Sequence, residues 1–164
     1  MTSCKQAEVP ISDETAIQIP DAAFERYLIF LGIDSDTIQN GVIRYGDVKQ
    51  ADTMNLIGIG KLLIITSLEG IEHFANVKYL NCSGFAIDLL DLSHNAQLEY
   101  LDCSTNPAYG EGYYPPAQIR QLVFGPANDK LKILRCMKNA MASLDLINLP
   151  ALRELICSAN SLAG

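Results

Sequence analysis

Tryptophan is absent from this chain of 164 residues, histidine occurs twice, and only 19% of the residues are charged. Basic residues are the scarcer sign, twelve against nineteen acidic, giving a net charge of −7 and a pI near 4.7. A surface so acidic repels phosphate backbones, and no local basic patch offsets it, which argues against a nucleic-acid partner. Long apolar runs are missing as well. The longest, Leu28 to Leu31 and Leu62 to Ile65, fall far short of the ~20 residues that a membrane span needs. No tract is of low complexity, and 49% of the residues are hydrophobic, enough to bury a core without staples. These absences leave a soluble, acidic, single-domain protein.

Catalytic wording is equally scarce. There is no GxSxG elbow, no phosphate-binding glycine loop and no dinucleotide fingerprint. His73 and His94 fall in the polar turns SLEGIEHF and LDLSHN, and neither has a second histidine at metal-binding spacing. A Cys82–His94 pair can be drawn, but the repeat pattern turns that cysteine inward, where a thiol is inert. The expectation is a non-enzyme with no resident cofactor.

What the chain does have is five cysteines, four of them in a pattern. Cys82, Cys103, Cys136 and Cys157 are separated by 21, 33 and 21 residues. Each ends a similar phrase: VKYLNCS, LEYLDCS, LKILRCM and LRELICS. Leu80, Leu101, Leu134 and Leu155 stand two places before the cysteine; Asn106, Asn139 and Asn160 stand three after it, with Phe85 breaking the first copy. Leucine and cysteine then point one way along a short strand and their neighbours the other. One strand cannot cover its own apolar side, so stacked copies about 4.8 Å apart must share a column of Leu and Cys. In that column each cysteine is a small hydrophobe, and a straight line of thiols cannot surround an ion. Vertical disulfides between neighbouring copies remain open on sequence alone.

Leu90-Asp91-Leu92, Leu122-Val123-Phe124 and Leu144-Asp145-Leu146 recur after each phrase and predict a second extended layer on the opposite side. The long interval is a repeat carrying an inserted loop, Pro107 to Gln118, rich in proline and glycine.

Self-similarity at this period with LxxLxLxxN wording resembles the leucine-rich repeat family, with cysteine in the third leucine slot. The resemblance implies an α/β repeat solenoid: a short right-handed superhelix of stacked parallel strands, its asparagines bonded to backbone at the turns. ITSLEGIEHFANVKYL, residues 65 to 80, is further similar to the first repeat of internalin-like bacterial cell-surface proteins, in which a capping helix precedes the turn. A helix is indeed written after Pro20. Asp21 can cap it, Phe24, Tyr27, Leu28 and Leu31 share a face, and Gly32 suits its end. The expected organisation is a flexible tether at 1–18, a helical N-terminal cap at 19–52, and repeats at 53–164 with the loop at 107–118.

The resemblance also implies a calcium loop between helix and first repeat, echoed by Asp34, Asp36, Asn40, Gly41, Ile43 and Asp47. Two departures favour a solvated acidic turn instead: the Asp36–Gly41 spacing is about two residues too long, and the last ligand is Asp rather than Glu. Cys4, in MTSCKQ, resembles the maturation site of a bacterial lipoprotein, although the signal segment that should precede it is missing. The other reading of Cys4 is an incidental thiol.

The working surface is expected on the outward side of the strands: Tyr79 and Asn81, Tyr100 and Asp102, Ile133 and Arg135, Glu154 and Ile156. Aromatic residues on a rigid sheet suit a protein interface, or two tyrosines simply shield the sheet. Tyr109, Tyr113 and Tyr114 of the loop form either a second contact or a cover over the repeat edge. The last copy ends without a recognisable cap, which predicts self-association or a longer natural chain. Together these point to a non-enzymatic module recognising protein or glycan at a bacterial cell surface. A ligand-free spacer and an intracellular regulatory binder are the alternatives.

Overall fold

The computed structural model describes residues 10–57, 64–105 and 118–163. A hairpin and two helices come first. Strand β1 (Ala16–Gln18) pairs antiparallel with β2 (Val42–Arg44), setting buried Ile17 opposite buried Ile43. Helix α1 (Ala22–Phe30) lies between them in sequence, and α2 (Tyr45–Val48) is one turn with Val48 buried. Asp21 starts α1 as the sequence predicts: its Oδ1 accepts from the Ala23 and Phe24 amides, both at 2.9 Å. Its Oδ2 accepts from the Thr66 amide, the Thr66 hydroxyl and the Ser67 amide at 2.8, 2.8 and 3.0 Å. One carboxylate thus caps the helix and ties it to the first repeat. Burial pushes this carboxyl up, but bonds from Phe24, Thr66 and Ser67 outweigh burial and hold it below 3.8.

The helix buries Phe24, Tyr27 and Leu28. Phe24 meets Phe74 at 6.3 Å between ring centroids. Tyr27 meets Phe85 edge-on at 5.4 Å, so the residue that breaks the asparagine series is spent on packing the helix. Gly70, at φ +100°, is required by a close approach. A Cβ there would fall 2.5 Å from Ile19 Cδ1 and 2.7 Å from the Gln18 carbonyl oxygen.

Five three-residue strands make the main sheet: β3 (Thr53–Asn55), β4 (Tyr79–Asn81), β6 (Tyr100–Asp102), β8 (Ile133–Arg135) and β9 (Glu154–Ile156), parallel and in that order. The register runs Met54, Leu80, Leu101, Leu134, Leu155 across the sheet. The first four are fully buried. Two places on stand Leu56, Cys82, Cys103 and Cys136, also buried, and Cys157, half-buried. The expected column is there, with two corrections at its last rung: Leu155 is 38% exposed and Cys157 is only partly covered. Burial in this column comes from the next coil, and among the described residues β9 has a strand on one side only.

On the opposite side β5 (Leu89–Asp91) and β7 (Gln121–Val123) pair in parallel, Leu90 beside Leu122. Leu144-Asp145-Leu146 continues the layer in position but is not a strand, which corrects the expected third member. Among the described residues no backbone hydrogen bond joins it to β7, so it lacks the ladder that makes β5 and β7 strands.

Two files of asparagines close the turns. Asn139 Nδ2 donates to the Cys103 and Cys136 carbonyls at 3.0 and 3.2 Å. Asn160 Nδ2 donates to those of Cys136 and Cys157, both at 2.8 Å. A second file, unannounced by the repeat phrase, follows the opposite layer. Asn95 bonds the Ile71 and Phe74 carbonyls, Asn128 those of Leu92 and Asn95, and Asn148 that of Phe124. Asn128 Oδ1 accepts from the Gly125 amide, whereas Asn95 Oδ1 is buried without a partner. The matching donor there, the Leu92 amide, is already committed to Val123.

Candidate recognition surface

Alternation on a parallel strand sends the residues flanking each buried leucine to the other side, and in-register stacking turns them into rows. The first row reads Thr53, Tyr79, Tyr100, Ile133, Glu154; the second reads Asn55, Asn81, Asp102, Arg135, Ile156. A third row, just before the strands, is Asp52, Lys78, Glu99, Lys132, Arg153, joined through their backbones from coil to coil. Sequence reasoning found four rungs of the first two rows and missed Thr53 and Asn55. The signal was present: TMNLIG at 53–58 parallels YLNCSG at 79–84, with Met for Leu and Leu for Cys. It also missed the charged third row, which the same alignment would have placed.

Tyr79 and Tyr100 lie 4.5 Å apart between ring centroids with planes 6° from parallel. The Arg135 guanidinium sits 5.7 Å above the Tyr100 ring. Its Nε and terminal nitrogen both donate to Glu154 Oε1, at 3.0 and 2.8 Å. The chain of contacts therefore runs Tyr79, Tyr100, Arg135, Glu154 along the ladder. Burial, with the Asp102 charge beside it, pushes the Tyr100 hydroxyl up from its ordinary value, so it stays a neutral donor. In the third row Lys132 bonds the Glu99 carboxylate, and that bond and charge hold Glu99 below its ordinary value.

Asn81 corrects the expected surface. It is 7% exposed, and its Oδ1 accepts from the Ser83 amide at 3.1 Å in a local turn. Asp102 makes the same bond to the Ser104 amide at 3.0 Å yet stays half-exposed. Ile133, Arg135, Glu154 and Ile156 are all half-exposed. Summed over the rows, Lys78, Lys132, Arg135 and Arg153 balance Asp52, Glu99, Asp102 and Glu154. The ladder is neutral although the chain is not.

The inserted loop springs from this edge. Thr105 Oγ1 and the Ile119 amide both donate to Asn139 Oδ1, at 3.1 and 3.0 Å, so one buried carboxamide holds both feet. Tyr109, Tyr113, Tyr114, Asn106 and Cys4 lie outside the described residues.

Behind the ladder the four repeat thiols are free, so the structure holds no vertical disulfides among them. Burial pushes Cys82 and Cys136 up to about 12 and Cys103 well above its ordinary value, which keeps them protonated and unreactive. That removes Cys82 as a partner for His94, whose Nδ1 lies 3.1 Å from Ser93 Oγ.

The acidic turn is not drawn together into a cage. Asp47 Oδ2 accepts from the Ser35 amide and hydroxyl at 3.3 and 2.9 Å and lies 3.5 Å from Arg44 Nε. Asp36 Oδ1 serves the Ile38 amide at 2.7 Å, and Asn40 Oδ1 the Val42 amide at 3.0 Å. Glu25, which the sequence reading did not weigh, takes the Asn40 and Gly41 amides at 2.7 and 2.6 Å. Asp34 is buried with Oδ2 unpartnered, and burial with the neighbouring Asp36 charge pushes it up to about 6. Among the described residues no group of three or more such side chains is poised to hold a metal.

Parallel rungs, a shared leucine column and asparagine-closed turns define a leucine-rich-repeat type of solenoid. Solved structures agree on the fold. The functional domain of InlJ from Listeria monocytogenes, described as including a cysteine ladder, is similar over 93% of this chain at 23% identity and a TM-score of 0.72. The internalin inlF from the same species is similar over 89% at 19% identity and a TM-score of 0.54. This chain spans 31% and 45% of those two chains' lengths. No protein-family model matches it, and no curated protein matches it by sequence.

Proposed function

We propose that this chain is a non-enzymatic recognition module whose exposed ladder engages a protein partner at a bacterial cell surface. The stacked Tyr79–Tyr100 pair, in register with Ile133, carries the reading. Aromatic edges and isoleucines held on a rigid sheet offer area at little entropic cost. Protein is favoured over glycan because sugars stack on ring faces, and Tyr100 has one face against Tyr79 and the other under Arg135. One oxygen of each ladder carboxylate, Asp102 Oδ1 and Glu154 Oε1, is already engaged, with the Ser104 amide and Arg135.

In this reading the segment 19–52, with α1, serves as the cap over the first coil, and Cys4 anchors the chain to the envelope by lipid. Residues 34–47 act as a self-satisfied acidic turn rather than a calcium loop, so calorimetry with calcium should give no heat. The mass of Cys4-containing peptides from the native source tests the anchor.

The deciding experiment is capture from surface extracts with the chain and its Tyr79→Ala/Tyr100→Ala form, both checked to be folded at the capture temperature. Capture lost in the variant, and little changed by salt because the ladder is neutral, supports the reading. Equal capture by both contradicts it, and no capture by either favours the spacer.

A further inference from the structure

One lane of the ladder holds a file of flat groups. Glu154, the Arg135 guanidinium, Tyr100 and Tyr79 follow one another, with 5.7 Å from guanidinium to the Tyr100 ring and 4.5 Å between the two rings. The ring spacing matches the roughly 4.8 Å between neighbouring strands, so each plane fills about one rung. The next rung belongs to β3, where the lane residue is Thr53, exposed and too short to cover a ring face. Among the described residues no ring or cation lies on that side of Tyr79. The file is closed at one end and open at the other.

The open end is also the acidic one. Asp52, beside Thr53, is exposed, and its carboxylate has no hydrogen bond or ion pair among the described residues. Residues 10–57 carry eight acidic residues against Arg26, Arg44 and Lys49, a net −5 of the chain's −7. Lys78, next in the Asp52 row, has the Glu99 charge on its other side.

We propose that the slot above Thr53 receives an arginine of the protein partner, its guanidinium flat on the open face of Tyr79 and paired with Asp52. This rests on the ladder being the recognition surface and names the group it recognises. The molecule already makes such a contact with its own residues, Arg135 on Tyr100 and held by Glu154. A guanidinium fits a space one rung wide and stacks on a tyrosine face while it pairs with a carboxylate. A lysine ammonium offers no plane, and a sugar ring no charge to meet Asp52 and the acidic cap. The contact is short-ranged, one stacked plane and one ion pair, so ladder binding as a whole stays nearly independent of salt.

NMR titration of the 164-residue chain with a blocked glycine–arginine–glycine tripeptide tests this. The expected result is saturable movement of the Tyr79 ring signals, weaker with the lysine counterpart and absent with methyl glucoside. Asp52→Asn should weaken binding about two- to fivefold, and Thr53→Tyr, which fills the slot with a third ring, should abolish it. Both positions are exposed, so both variants should fold, which circular dichroism checks. No movement at Tyr79, equal response to the lysine peptide, a response to the glucoside instead, or binding that survives Thr53→Tyr overturns the proposal. Any of these would leave the recognition reading standing, since capture lost in Tyr79→Ala/Tyr100→Ala does not depend on which partner group the slot takes.

Discussion

Leu101 and Leu155 occupy the same place in the same phrase, two coils apart, yet one is sealed and the other open. The difference lies in the neighbours. Leu101 has a coil above and a coil below; among the described residues Leu155 has a coil on one side only. In a stack of this kind, burial is lent by adjacent coils, and identical sequence does not carry identical stability.

Replacing the two leucines in turn breaks that comparison most sharply. Leu101→Ala should cost about 2–5 kcal/mol in denaturant unfolding, and Leu155→Ala under about 1 kcal/mol at concentrations where the chain is monomeric. Equal losses would mean that the coils do not share one core. The asparagine file sharpens the contrast. Asn139 serves two coils and both feet of the inserted loop, so Asn139→Ala should cost about 1–3 kcal/mol. Asn160, half-buried at the open end, should cost less in the same measurement.

The start of the molecule gives the third test. Asp21→Ala should cost about 1–2 kcal/mol by removing the helix cap. The sign with pH follows from a carboxyl lowered in the fold: its contribution is present above pH 3.8 and is lost as pH falls through the folded value. Melting curves across that range should show the acid limb flattened in the variant. The ladder gives the fourth test. Separating Tyr79 from Tyr100 by Tyr79→Ala should cost only about 0.5–1.5 kcal/mol, since both rings are half-exposed.

The coil pattern was legible because leucine and cysteine recur at a fixed offset, and the column they make has no other way to stay dry. The capping role of Asp21 was legible for the same reason: an acid before an apolar helical face. Three features were not. Phe85 reads as a fault in the repeat until Tyr27, far away in sequence, supplies the ring it packs against. Asn81 reads as an outward residue because alternation says so, yet it is only 7% exposed and its Oδ1 is spent on the Ser83 amide. Glu25 reads as a surface helix residue, but it is buried to bond the amides of Asn40 and Gly41 across the hairpin. Phe85 and Glu25 each hide a tertiary partner that no local pattern names, and Asn81 a local turn bond that strand alternation does not foresee. The Tyr79–Tyr100 pair was placed correctly in its row, but the Arg135 cover that closes Tyr100's outer face needs the register one rung on.

The shared column is tested most directly by labelling native thiols with a small alkylating reagent while the chain is monomeric, reading each site by mass spectrometry. Cys157 should react in the folded protein, while Cys82, Cys103 and Cys136 should react only at the rate of global unfolding. Rapid native labelling of those three would contradict the column and the solenoid built on it.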